Sequence, residues 1–176
     1  EKNLIDFRTN KLIKKKTNTL IFPRYHQLRA VRKLKEAIMH EGVGHDYLIQ
    51  HSTGSGKSLS IGWLSHLLIT LFKDDSATTR IFDYVIVVTD RKILDKQINN
   101  TLQQINSRPG VVNKSTDNKK LYEYLSSGKD IIVTTVQKFP YLLKNFSEQI
   151  NSDLKNKKFA VIIDEIHSSQ FGKSHT

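Results

Sequence analysis

The sequence predicts an α/β protein of three layers, in which a mainly parallel sheet lies between two layers of helices. Continuous apolar stretches rich in β-branched residues have the length of buried strands, and they alternate with stretches whose apolar residues recur at helical spacing. Such alternation is typical of a parallel sheet covered on both faces. One apolar stretch ends in a two-glycine loop directly before a helical stretch, which is the local pattern of a phosphate-binding site.

Composition allows one domain with a buried core and favours a polyanionic partner. A chain of 176 residues, 38% of them hydrophobic, is long enough for such a domain. The net charge of +11 favours nucleic acid as a partner, although lysine-rich surfaces also serve solubility. The sequence has no cysteine, no apolar run long enough to span a membrane and no signal-peptide pattern, so we expect a cytoplasmic protein.

The first quarter of the chain is predicted to form an arm, a helix and a strand. Residues 1–22 are expected to be a basic arm or linker, because their lysines stand among polar residues with few apolar ones. The domain is expected to occupy residues 23–176. Helical spacing of apolar residues predicts a helix over 24–40 that Gly42 ends. Residues 46–50 then predict a short buried strand that leads into the glycine loop.

The remainder of the chain continues the alternation of strands and helices. Further strands are predicted over residues 82–89, 130–136 and 159–164, and helices over residues 57–72, 94–105, 121–125 and 137–150.

The loop before the helix at residue 57 is predicted to bind phosphate groups. Gly54 and Gly56 allow the backbone to turn its N–H groups toward an anion. Lys57 can reach the β- and γ-phosphates, and the Ser58 hydroxyl can bind Mg²⁺. The general motif has a glycine at the position that His51 occupies here.

An acid pair follows the last predicted strand. Asp164 at the carboxyl end of a buried strand is placed to hold Mg²⁺, and Glu165 is placed to orient or deprotonate an attacking water. The alternative is an acid pair that stabilises the start of a helix. That alternative is as good for the pair alone, but the phosphate loop favours the hydrolytic interpretation.

Together these motifs resemble the superfamily 2 helicases and translocases, and within them the motor (R) subunit of type I restriction enzymes. The resemblance runs from about residue 24 to residue 173. Its segments are Tyr25-His26-Gln27, similar to an adenine-reading motif; residues 51–58, similar to the phosphate loop; residues 87–97, similar to "VDRxDLxxQ"; residues 132–139, similar to "TTxQKF"; and residues 164–172, similar to "DEAHRSQxG". That family's loop often lacks the first glycine, so His51 fits it. In residues 164–172, Ser168 stands where that family usually has an arginine, so no residue of this segment can perform the role of that arginine.

The resemblance implies a RecA-like fold with ATP and Mg²⁺ as cofactors. It assigns adenine recognition to Gln27 and phosphate binding to Thr53, Gly54, Ser55, Gly56, Lys57 and Ser58. It assigns Mg²⁺ to Ser58 and Asp164, and catalysis to Lys57 and Glu165. It places Arg91, Thr134 and Thr135 along DNA, and it makes His167 the link between the ATP site and the DNA-facing segments. Without the resemblance, Gln27 would be an ordinary surface glutamine, and the two threonines would be ordinary strand formers.

The resemblance also implies a prokaryotic protein and ATP-driven translocation on double-stranded DNA. The expected partners are that DNA, the methyltransferase and specificity subunits of a restriction complex, and a second RecA-like lobe. No segment resembles the motifs of that lobe or of a nuclease, so we expect the 176 residues alone to bind ATP weakly and hydrolyse it slowly. Two alternatives remain open: another DExH helicase acting on DNA or RNA, and a non-hydrolysing, nucleotide-gated interaction module.

Overall fold

The structure, a computed structural model, describes the greater part of the chain. The described residues are 2–6, 11–15, 21–74, 77–89, 92–105, 110–141, 144–145 and 154–164, with backbone alone for 2–6, 11–15 and 92–96. The elements in chain order are β1 (Lys2–Asp6), β2 (Lys11–Lys15), α1 (Tyr25–Glu41), α2 (Lys57–Ile69), β3 (Tyr84–Thr89), α3 (Lys92–Ile105), β4 (Val112–Lys114), α4 (Asn118–Ser126), β5 (Ile131–Thr135), a 3-10 turn (Val136–Lys138) and β6 (Phe159–Asp164).

The central sheet was predicted to be mainly parallel, and its four described strands are all parallel, in the order β4-β5-β3-β6. All six residues of β3 are buried, because the strand has a neighbour on each side and a layer on each face. Val87 of β3 is in register with Val133 of β5 and with Ile162 of β6. Side chains alternate between the faces along each strand, so residues in register across the strands share a face.

Helices cover both faces of this sheet, which confirms the three-layer prediction. On one face, hereafter the α2 face, apolar side chains of α1, α2 and α3 pack against alternate residues of the strands. On the other face, Leu121 and Leu125 of α4 pack against Ile86, Val88 and Ile132. The fold is therefore an α/β/α sandwich of the RecA-like kind.

Helix α2 lies across the α2 face with its first residue toward the carboxyl ends of the strands. The amide of Ile81 donates to the carbonyl of Leu71 at 2.9 Å, which ties the end of α2 to the start of β3. The 13 residues of α2 span roughly 20 Å, and the six residues of β3 span about the same length. Because α2 contacts β3, β5 and β6, the loop before α2 lies toward the edge where these strands end.

The predicted strand over residues 46–50 is wrong. The structure has no strand there, and Leu48 and Ile49 are 93% and 39% exposed. A strand of five residues is stable only when a neighbour binds its backbone groups, and none of the described strands pairs with this stretch. A short apolar run does not by itself indicate whether another strand will pair with it.

Three strands were not expected. β1 and β2 form an antiparallel hairpin within the predicted arm, and β4 pairs with β5 at one side of the sheet. The helix expected over residues 137–150 is described in part: a 3-10 turn (Val136–Lys138) is followed by helical residues at 139–141 and 144–145. No helix among the described residues is long and apolar enough to cross a membrane.

Candidate nucleotide-binding site

The glycine loop has the backbone geometry that its two glycines were expected to provide. Gly54 has φ +78° and Gly56 has φ +86°, both in the left-handed region that disfavours other residues. A turn that contains Gly54 closes through the amide of Ser55 and the carbonyl of Ser52, at 3.2 Å. Gly56 is the cap of α2, which begins at Lys57. The amides of the first turn of a helix have no acceptor within it, so this loop presents donors and a positive helix end to an anion.

Gln27 holds this loop from the side of α1. Its side chain is 1% exposed. The amide Oε1 accepts from the backbone N–H of Arg24 at 2.8 Å, and Nε2 donates to the carbonyls of Ser55 at 3.2 Å and Gly56 at 2.9 Å. Both amide hydrogens are therefore used by the loop. A Cβ on Gly56 would lie 2.5 Å from the Gln27 Nε2 atom, so this close approach requires glycine at position 56.

His26 contacts the same loop and was not assigned a role from the sequence. Its Nε2 atom lies 3.0 Å from the carbonyl oxygen of Ser55. Because that oxygen can only accept, Nε2 carries the proton in this arrangement. The His26 ring also meets the ring of His51 edge-on, with the ring centres 5.1 Å apart. The residue that replaces the first glycine of the general motif thus packs against α1.

Replacing Gln27 by leucine is expected to destabilise the loop. The carbonyls of Ser55 and Gly56 would each lose the Gln27 donor, and the N–H of Arg24 would lose its acceptor, at a net cost of about 0.5–1.5 kcal/mol per hydrogen bond. We expect a lower free energy of unfolding by urea and faster hydrogen exchange of the loop amides. Gln103→Leu, at an exposed position of α3, is the matched control. Unchanged loop exchange in Gln27→Leu would contradict the bracing role.

Asp164 lies on the α2 face at the carboxyl edge of the sheet. It is the last residue of β6, is 9% exposed and is in register with Thr89 of β3. Thr89 is in turn in register with Thr135 of β5. Val87 and Val133 belong to the core under α2, so the residues two positions later share that face. The loop and Asp164 therefore lie on the same side and toward the same edge of the sheet.

The two threonines that were expected along DNA are buried. Thr134 is 0% exposed and Thr135 is 4% exposed. The Thr134 hydroxyl accepts from the Ser115 hydroxyl at 3.1 Å, and the Lys138 amino group donates to Ser115 Oγ at 2.9 Å. Sequence reasoning did not find this Ser115–Lys138 contact, because Ser115 stands in a polar loop without a motif.

Three other expected site residues lie outside the described part of the chain: Arg91, Glu165 and His167. Among the described residues, no group of three or more histidines, cysteines or carboxylates could hold a metal ion by itself. The residues present nevertheless fit a nucleotide with Mg²⁺. The hydroxyl oxygens of Ser55 and Thr89 are buried and have no hydrogen-bond partner among the described residues, and one belongs to the loop while the other stands beside Asp164.

A glycine loop at the amino end of a helix, with a strand-end carboxylate on the same side of a parallel sheet, is the arrangement typical of the P-loop class of proteins. The family model described as "SWI2/SNF2 ATPase" matches residues 26–176. The chain belongs to that family.

Similar proteins are named as endonuclease subunits of type I restriction enzymes. The chain is 34% identical over 161 residues to the SsaAORF53P endonuclease subunit of Staphylococcus saprophyticus, which covers 90% of the chain and 16% of that protein. It is 37% identical over 131 residues to the C-terminal part of the putative MpnIIP endonuclease subunit of Mycoplasma pneumoniae, which covers 71% of the chain and 57% of that protein. It is 30% identical over 193 residues to the putative MjaVIIIP endonuclease subunit of Methanocaldococcus jannaschii, which covers 99% of the chain and 18% of that protein.

These relatives confirm the resemblance to type I restriction subunits that the motifs indicated. The chain spans between 16% and 57% of the length of the three proteins. What it shares with them is therefore one segment of larger subunits.

Proposed function

We propose that this chain is the first RecA-like lobe of an ATP-dependent double-stranded DNA translocase within a type I restriction endonuclease subunit. The observation that carries the proposal is the phosphate loop, held by α1 at the amino end of α2, on the same side and toward the same edge of the sheet as Asp164. The names of the relatives and the net charge of +11 add support for a DNA-directed activity.

Residues of the loop and of the strand edge would bind and orient the triphosphate. The loop residues Thr53, Gly54, Ser55 and Gly56, together with Lys57, would bind the phosphates. Ser58 and Asp164 would hold Mg²⁺, and Glu165 would orient and deprotonate the attacking water. When bound, Mg²⁺ supplies charge neutralisation at the phosphates. The protein's own contribution is positioning and fixed positive charge, which is most of what phosphoryl transfer requires.

Gln27 would also recognise adenine, but only if its side chain gives up one of its hydrogen bonds to the loop. Both Nε2 hydrogens already bind the loop carbonyls of Ser55 and Gly56. Gln27 would therefore release one of these carbonyls when it donates to adenine. Base recognition and loop geometry would then depend on the same side chain.

DNA contact at the ends of β3 and β5 would depend on backbone groups more than on hydroxyls. Thr134 and Thr135 are buried, so their side chains would shape the strand end, while backbone N–H groups beyond it would contact phosphates. Arg91 would add a charged contact after β3, and His167 would link the acid pair to this surface. The methyltransferase and specificity subunits, a nuclease region and a second RecA-like lobe would complete the assembly.

ATP hydrolysis by the full-length protein, with and without double-stranded DNA, tests the proposal. We expect turnover that double-stranded DNA stimulates, and we expect the stimulation to fall as salt rises because phosphate contacts release counterions. Stimulation by RNA instead would favour a DExH helicase that acts on RNA. Nucleotide binding without turnover under any condition would favour a nucleotide-gated interaction module.

A further inference from the structure

We propose that Thr89 is a positioning residue for the Mg²⁺ site, with its hydroxyl bound to a water of the metal's coordination shell and to the Asp164 carboxylate. The inference rests on the proposed role of Asp164 in holding Mg²⁺. It concerns a residue to which the motifs assign no role: Thr89 is the last residue of β3 and lies within the segment 87–97.

Register places Thr89 next to the metal-binding carboxylate. Thr89 of β3 is the direct partner of Asp164 in β6, and paired residues of neighbouring strands share a face. Neighbouring strands lie about 4.8 Å apart. A hydroxyl and a carboxylate at that spacing can meet directly or share one water between them. Both side chains lie on the α2 face, toward the edge where the phosphate loop lies.

The Thr89 hydroxyl is buried without a partner in the part of the chain that the structure describes. Thr89 is 0% exposed, and its Oγ1 atom has no hydrogen-bond partner among the described residues. Burying a hydroxyl in this way costs free energy. Valine has the same shape without that cost, and Val85 and Val87 occupy the two preceding positions on this face of β3. A threonine here is explained if a ligand supplies the missing partner.

A water molecule bound to Mg²⁺ would be a suitable hydrogen-bond partner for the Thr89 hydroxyl. Mg²⁺ in nucleotide sites keeps several of its waters and takes only one or two protein carboxylates. Such waters donate hydrogen bonds, which the Thr89 oxygen can accept, while the Thr89 hydrogen can be donated to Asp164. Residues that orient a metal ligand in this way typically change metal affinity about 10- to 100-fold when they are replaced.

The test is Thr89→Val in the full-length protein, with binding of a fluorescent ATP analogue measured over a range of Mg²⁺ concentrations and in EDTA. We expect the Mg²⁺ concentration for half-maximal enhancement to rise about 10- to 100-fold, with binding in EDTA unchanged. Without nucleotide, the melting temperature should be equal to or above that of the parent protein, because the variant removes an unpaired buried hydroxyl. Thr89→Ser keeps the hydroxyl and should restore the parental Mg²⁺ dependence.

Two further variants separate the possible outcomes. Thr70→Val, at the far end of α2 where the hydroxyl is exposed and bound to the carbonyl of His66, should leave Mg²⁺ dependence unchanged. Asp164→Asn should weaken the Mg²⁺ response strongly. A normal Mg²⁺ response in Asp164→Asn would contradict the proposed metal site itself. A weakened response in Asp164→Asn with a normal one in Thr89→Val would overturn only the role of Thr89, and so would a large loss of stability in Thr89→Val without nucleotide.

Discussion

Replacing Lys57 by alanine is expected to lower ATP turnover of the full-length protein by at least about 100-fold, the usual effect of removing one group that stabilises transition-state charge. Lys57 is the first residue of α2, directly after the loop that Gln27 and His26 hold. Its ammonium group would neutralise charge at the β- and γ-phosphates. The measurement is steady-state phosphate release at saturating double-stranded DNA.

A lysine elsewhere provides the control for this change. Lys33→Ala removes the same charge from an exposed position of α1 and should leave turnover close to the parental rate. Melting temperatures of both variants should match that of the parent protein, since neither lysine is buried in the core. Parental turnover in Lys57→Ala would exclude the loop as the site of hydrolysis.

Replacing Leu102 by alanine is expected to lower the free energy of unfolding by about 2–5 kcal/mol, the usual range for a fully buried leucine. Leu102 is 0% exposed and belongs to the core on the α2 face. Its backbone carbonyl also lies 3.0 Å from the Nε2 atom of His66, where α3 packs against α2. A cavity here would loosen the contact between α3 and the helix that follows the phosphate loop.

Urea unfolding measures this loss, with Gln103→Ala as the control. Gln103 is the next residue of α3 and is exposed, so its replacement should change stability by less than about 0.5 kcal/mol. If Leu102→Ala were as stable as Gln103→Ala, Leu102 would not be part of a packed core.

The strands β3, β5 and β6 could be predicted because each is a continuous apolar run. β3 and β5 are buried throughout, whereas Val161 and Ile163 of β6 are 53% and 59% exposed. β6 begins and ends where the sequence indicated, at Phe159 and Asp164. The helices α1 and α2 were equally predictable, since a regular apolar spacing marks the first and the glycine loop marks the start of the second. Each of these patterns lies within or directly before the element that it predicts, and the element forms at that place in the structure.

The elements that sequence reasoning missed depend on partners far away in the chain. β4 is only Val112–Lys114, which has no alternating or apolar pattern and becomes a strand by pairing with β5. Residues 46–50 show the opposite error: the apolar run predicted a strand, but no described strand pairs with it. A stretch of five residues does not indicate whether a strand far away in the sequence will pair with it.

The candidate site divides in the same way. The loop and Asp164 could be located from the sequence, because both belong to local motifs whose residue types and spacing are typical of phosphate and Mg²⁺ binding. The hydrogen bonds of His26 and Gln27 to Ser55 join residues 29 and 28 positions apart, and no pattern within either segment indicates them. The register that places Thr89 beside Asp164 likewise appears only once the sheet is assembled.

Movement along DNA is the central claim, and displacement of a third strand from a DNA triplex tests it most directly. The full-length protein, combined with the proposed methyltransferase and specificity subunits and a DNA substrate that carries the triplex at a distance, would be given ATP. We expect the third strand to be released with a delay that grows with that distance, and we expect no release with Lys57→Ala or Glu165→Gln. ATP hydrolysis by the parent complex on this DNA without any release of the third strand would contradict translocation.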